Sequence, residues 1–118
     1  MDLLKLPQDK FSPAARDVVA GLHRGIVEEV AAAVARDPVV VVGMAQNPFV
    51  KRARQLLEAE GVKFTYLEYG SYFSKWKERL AIKLWAGFPT FPMVFVDGML
   101  AGGHSELVKL KEEGKLKR

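Results

Sequence analysis

Phe88-Pro89-Thr90-Phe91-Pro92 leads straight into Met93-Val94-Phe95-Val96, and no other stretch of this chain narrows the fold as much. The apolar run is too short for a helix and starts behind a proline. It therefore reads as a strand whose first residue needs no ladder N–H. A proline held there in a tight turn is also a candidate cis bond, because only X–Pro bonds adopt cis at small cost. Asp97-Gly98 is a hairpin dipeptide, Met99-Leu100-Ala101 the return strand and Gly102-Gly103 its end. Ser105-Glu106 then opens a last helical pattern carried by Leu107, Val108 and Leu110.

The rest of the chain can be placed around that hairpin. Val39-Val40-Val41-Val42 is an unbroken β-branched run, as expected of a central strand covered on both faces. Gly43 to Asn47 turns, and Pro48 suits the first turn of a helix whose stripe is Phe49, Val50, Ala53, Leu56 and Leu57. Gly61 closes that helix, and Val62 to Glu68 alternates as a second strand. A helix between two strands predicts a right-handed parallel unit. Phe73, Trp76, Leu80 and Leu84 space a third helix that ends before Gly87, with Trp76 expected in the core. Upstream, Met1–Lys10 reads as an arm, and Ser12-Pro13 as N-cap and first helical residue. Val18, Val19, Leu22, Ile26, Val30 and Val34 continue in helical spacing, with a bend expected near Leu22–Gly25. Asp37-Pro38 stops that helix. The core order is β-α-β-α-β-β-α: an α/β fold with a four-stranded mixed sheet, flanking helices and an extra N-terminal helix.

Thr90-Phe91-Pro92, the Asp97-Gly98 hairpin and Gly102-Gly103 together resemble the C-terminal half of a glutaredoxin, with the thioredoxin fold. Phe88-Pro89-Thr90-Phe91-Pro92 is most similar to the monothiol branch of that family. The resemblance begins near Arg24, which divides the chain into an extension, Met1–His23, and a glutaredoxin-like domain, residues 24–118. It also implies where a redox site would stand, in the turn after the first strand. There a leading cysteine opens a helix, whose N-terminal amides and dipole lower the thiol pKa. The matching residues here are Asn47-Pro48-Phe49-Val50, with Asn47 and Val50 at the two cysteine positions.

The 118 residues contain no cysteine at all. That count excludes disulfides, thiolate nucleophiles and thiolate-bound iron–sulfur clusters from this chain, so no cluster is expected. No other side chain replaces a thiolate in disulfide exchange. Asn47 is read as a helix cap, with a hydrogen bond to a ligand as its functional alternative.

What the resemblance implies about ligands concerns a groove for glutathione. The backbone of Phe91, before Pro92, would pair with the cysteinyl unit like an added strand. The turn Gly103-His104-Ser105 would offer N–H groups to the γ-glutamyl carboxylate. Ser105 stands where the family usually has Asp. Arg79 aligns with an arginine used on the glycyl carboxylate, whereas a family lysine is replaced by Met44. Phe88, Phe91 and Trp85 are candidate groove linings.

Two functional readings follow. The first is a redox-inactive member that keeps the groove for weak glutathione or peptide binding, or for protein interaction. The second is a glutathione-dependent disulfide oxidoreductase of cell redox homeostasis that relies on an external thiol. Composition removes other classes. The longest apolar run is far below the ~20 residues of a membrane span. The first residues lack a signal-peptide pattern, so the cytoplasm is the expected compartment. Net charge is +4, with basic residues crowded near the C-terminus. Without interleaved aromatics, that crowding predicts a solvated tail rather than nucleic-acid binding. The two histidines, His23 and His104, lie far apart in sequence, which argues against a metal site built on them. No Gly-rich phosphate loop or serine elbow is present, and the Glu28/Glu29, Glu58/Glu60 and Glu112/Glu113 pairs are expected on outer faces.

Overall fold

Successive valines of the first strand point to opposite faces of a sheet, and each face has its own core. The computed structural model describes residues 12–14 and 24–116. Among these residues the order is α1 (Arg24–Arg36), β1 (Val39–Gly43), α2 (Pro48–Ala59), β2 (Thr65–Glu68), α3 (Trp76–Ala86), β3 (Met93–Val96), β4 (Met99–Gly102) and α4 (His104–Glu112). The strands lie in the order β2-β1-β3-β4. β1 pairs parallel with β2 and antiparallel with β3, and β3 pairs antiparallel with β4. This is the predicted mixed sheet.

Val40 and Val42 join Met93, Phe95, Val30 and Ala33 of α1, and Ile82 of α3 in one core. Val39 and Val41 join Val94, Ala53 and Leu57 of α2, and Leu107 of α4 in the other. All five residues of β1 are buried, which is why the run shows no apolar–polar alternation. The Asp97-Gly98 turn has φ of 52° and 82°, the doubly left-handed geometry that an Asp-Gly hairpin requires. α2 ends where Gly61 predicts: Gly61 N donates to the Glu58 carbonyl, and Val62 N to the Leu57 carbonyl. These paired bonds satisfy the helix's last acceptors and place Val62 against the α2 core. Val62 therefore belongs to the helix cap, and β2 is shorter than the expected Val62–Glu68.

α3 departs most from its sequence pattern. Its periodic apolar residues face outward: Phe73, in the preceding loop, is 94% exposed, Trp76 is 59% exposed, and Leu80 and Leu84 are also exposed. Ala81 and Ile82 make the buried contact instead, accompanied by Arg79, which is 8% exposed. The expectation of Trp76 in the core is thus corrected. Arg79 is buried because its Nη1 donates to the carbonyls of Tyr69 at 3.0 Å and Ser74 at 2.5 Å. A charge can be buried when fixed acceptors meet its donors. Tyr69 is held in turn by its hydroxyl, which donates to the Glu29 carboxylate. Burial and that hydrogen bond push the Tyr69 phenol pKa upward.

At the N-terminal end, Pro13 and Ala14 are helical, as the Ser12-Pro13 pattern predicts. α1 already includes Gly25. The arm Met1–Lys10 and the expected bend at Leu22 lie outside the described residues, as does most of the extension Met1–His23. No helix among the described residues is long and apolar enough to cross a membrane.

Candidate functional site

The turn after β1 passes through Gln46 at φ 64° and delivers Asn47 in extended backbone at the head of α2. Asn47 Oδ1 accepts from Phe49 N at 2.9 Å and from Val50 N at 3.1 Å, with Pro48 in the first turn. Two of the orphan N–H groups of the helix start are thereby satisfied, and Pro48 has none to offer. The cap expected of Asn47 is formed. Val50, at the second cysteine position, is buried in the core.

Opposite this turn, the Phe91–Pro92 peptide is cis, as the sequence led us to expect. The chain returns to the same place through the bulged end of β4. There Gly102 has φ 128°, and a Cβ added to it would lie 2.6 Å from Glu106 Cγ. A Cβ on Gly103 would meet the Pro92 carbonyl oxygen at 3.3 Å. The start of α4 can therefore sit close to the Phe91–Pro92 wall only because these two residues lack side chains. Gly103 N donates to Glu106 Oε1 at 2.7 Å, which orders the helix start without a cap from Ser105. The N–H groups of His104 and Ser105 fall in the first turn, where helix geometry provides no intrahelical acceptor.

These parts enclose one groove of about 450 Å³. It brings together Asn47, Phe49, Phe91, Pro92, Gly103, His104 and Ser105. Phe49, 51% exposed, links the two helix starts: its ring lies 6.1 Å from that of His104, and the Arg52 guanidinium lies 5.4 Å from its centroid. Phe88 lines the groove as expected, whereas Trp85 packs its ring on Phe95 at 5.9 Å and is not part of the lining.

Arg79 is not part of the groove. Its Nη1 donates to two backbone carbonyls and the residue is absent from the lining, so the expectation that Arg79 stands in the groove is corrected. The cation that lines the groove is Lys83, one helical turn further along α3. Its ammonium lies 5.6 Å over the Phe91 ring. Met44, at the place of the family lysine, also lines the groove, as do Tyr72 and Glu106, for which the sequence suggests no ligand role. Lys83 was legible from the i, i+4 spacing to Arg79, and Glu106 from its place three residues after a helix-capping Gly103. No group of three His, Asp or Glu side chains among the described residues is placed to hold a metal ion.

Comparison with known proteins agrees with this architecture. The family model described as Glutaredoxin matches residues 39–101. A glutaredoxin-like protein of Dictyostelium discoideum is 51% identical over 94 residues, covering 80% of this chain and 76% of that protein. Glutaredoxin-C6 of Oryza sativa subsp. japonica is 35% identical over 83 residues, covering 70% and 74%. Among solved structures, a wheat glutaredoxin superimposes with a TM-score of 0.68 at 28% identity, covering 80% of this chain and 87% of that one. A buckwheat glutaredoxin–glutathione complex shares the fold, with a TM-score of 0.68 at 22% identity over 79% and 84% of the two chains. This chain therefore belongs to the glutaredoxin family, and it does so with no cysteine anywhere along it.

Proposed function

We propose that this chain is a redox-silent glutaredoxin that holds glutathione, or a peptide of similar backbone, in the groove between Asn47, Phe91 and the start of α4. One observation carries the reading. The walls that would grip the tripeptide backbone stand together around a turn that has a helix cap where the reactive thiol would be.

In this reading the main chain at Phe91 pairs with the cysteinyl unit. The free amides of His104 and Ser105 receive the γ-glutamyl carboxylate, with the helix dipole in support. The carboxylate of Glu106 faces the γ-glutamyl ammonium and supplies the negative charge that Ser105 lacks. Lys83 takes the glycyl carboxylate, the role the family resemblance gave to Arg79. No second cation stands at Met44. The loss of one charged hydrogen bond costs roughly 1.5–3 kcal/mol, so binding is weak. Without a thiolate the chain holds its ligand and leaves the sulfur chemistry undone.

Calorimetric titration of the full chain with reduced and oxidised glutathione tests the reading. Binding at millimolar ligand, with no catalysed reduction of a mixed disulfide above the glutathione background, is the expected result. Absence of heat with both ligands overturns the tripeptide reading. Turnover above background revives the alternative in which an external thiol performs the exchange.

A further inference from the structure

Asn47 does more at the head of the groove than fill the place of a sulfur atom. Two backbone N–H groups point at one atom of its amide, and only oxygen can accept them, so the orientation of the group is fixed. Nδ2 is turned the other way and has no hydrogen-bond partner among the described residues. Asn47 and Met44 also line an adjoining cavity of about 480 Å³. That cavity contains Lys51 and Arg54 of α2, and the single carboxylate in its lining, Glu68, accepts the Tyr66 hydroxyl at 2.8 Å. The Arg54 guanidinium lies 3.9 Å over the Tyr66 ring, and its buried Nε has no partner. An unpaired donor on a ridge, with two cations behind it, is an environment for a negatively charged acceptor.

We infer that the groove selects a glutathione whose sulfur carries an anionic substituent, which Asn47 Nδ2 receives while Lys51 and Arg54 attract it from the adjoining cavity. The inference rests on the groove reading above, in which the tripeptide pairs along Phe91 with Asn47 at the head of the same groove. A cysteine thiolate at position 47 would repel such a ligand; the amide donates to it. The carboxylate of Glu106 acts at the far end of the groove, on the γ-glutamyl unit, and Glu68 is the opposing charge in the adjoining cavity.

Glutathione sulfonate and S-methylglutathione are the probes. They share a backbone and differ in the charge on sulfur. Calorimetry on the full chain is expected to give the sulfonate an affinity roughly tenfold higher or more, the scale of one charge-assisted hydrogen bond. That advantage shrinks as salt is added. Asn47→Asp keeps an oxygen to cap α2 but removes the donor and adds a negative charge. It is expected to weaken the sulfonate at least roughly tenfold more than it weakens S-methylglutathione. Equal affinity of wild type for the two probes, or an equal loss of both in Asn47→Asp, overturns the inference and leaves the groove reading standing. Failure of both probes to bind overturns the groove reading and the inference with it.

Discussion

The two sides of the groove are built from different materials. On the Phe91–Ser105 side the groove is built from main chain: the backbone before a cis-proline that leads into β3, and amides at a helix start brought near by Gly102 and Gly103. On the Asn47 side the deciding group is one side chain, and in this chain it is an amide bound to its own helix. Main-chain features tolerate exchange of the side chains around them, because each residue other than proline brings the same N–H and C=O. Thiol chemistry rests on a single atom and disappears with it. The groups that would bind and the atom that would react are thus separable within one groove, and this chain lacks the second.

That contrast can be broken at several points. The largest effect is expected from Gly102→Ala on the main-chain side, where a Cβ meets Glu106 at a left-handed φ. A loss of about 2–4 kcal/mol is expected from strain and overpacking together, read from urea midpoints. A change below about 0.5 kcal/mol would show that the helix start is not held against the wall as described.

Next comes a paired test of Arg79 and Lys83. Arg79→Met removes the donors that satisfy the Tyr69 and Ser74 carbonyls, and should cost roughly 1–3 kcal/mol of stability while the folded variant keeps its glutathione affinity. Lys83→Ala should do the reverse: stability within about 0.5 kcal/mol and affinity weakened roughly tenfold. Swapped outcomes would return the ligand role to Arg79.

A third test restores the missing atom. Asn47→Cys places sulfur where Phe49 N and Val50 N point, at the positive end of α2. Its thiol should titrate below the ~8.5 of free cysteine, as followed by thiolate absorbance. An unshifted thiol would mean that the turn is not the site of the family's chemistry.

The smallest effect lies outside the groove. Asp37 accepts from Arg36 at 2.9 and 3.1 Å and from Thr65 Oγ1 at 2.8 Å. Its carboxyl is held below the usual range, first by the Arg36 hydrogen bond and then by that of Thr65. A folded-state pKa below the unfolded one stabilises the fold above the carboxylate range, and this contribution is lost as pH falls through the folded value. Asp37→Asn should therefore be slightly less stable than wild type at neutral pH, with the difference vanishing in acid. A difference that grows in acid would reverse the sign.

Much of this was legible before any coordinates, and the legible parts share a cause. The Val39–Val42 run, the Asp97-Gly98 turn, the Asn47-Pro48 helix start and the Gly61 stop each depend on the backbone preferences of a few adjacent residues. Such preferences act within the segment itself. α3 was misread because its spacing is helical but its apolar stripe does not choose which face is covered. The packing of α1 and the sheet selects Ala81 and Ile82. Arg79 was misassigned for a related reason: whether a guanidinium reaches solvent, a ligand or a carbonyl depends on where distant backbone acceptors lie.

The sequence by itself determined the order of elements, the cis-proline hairpin, the helix cap and the absence of thiol chemistry. Each of these is a property of local backbone conformation or of which atoms are present. Only the tertiary structure decided which cation faces the groove, which way the free amide of Asn47 points, and that a second basic cavity adjoins it. Those are relations between side chains carried on separate elements. The packing of helices on the sheet fixes them, and no local spacing encodes that packing.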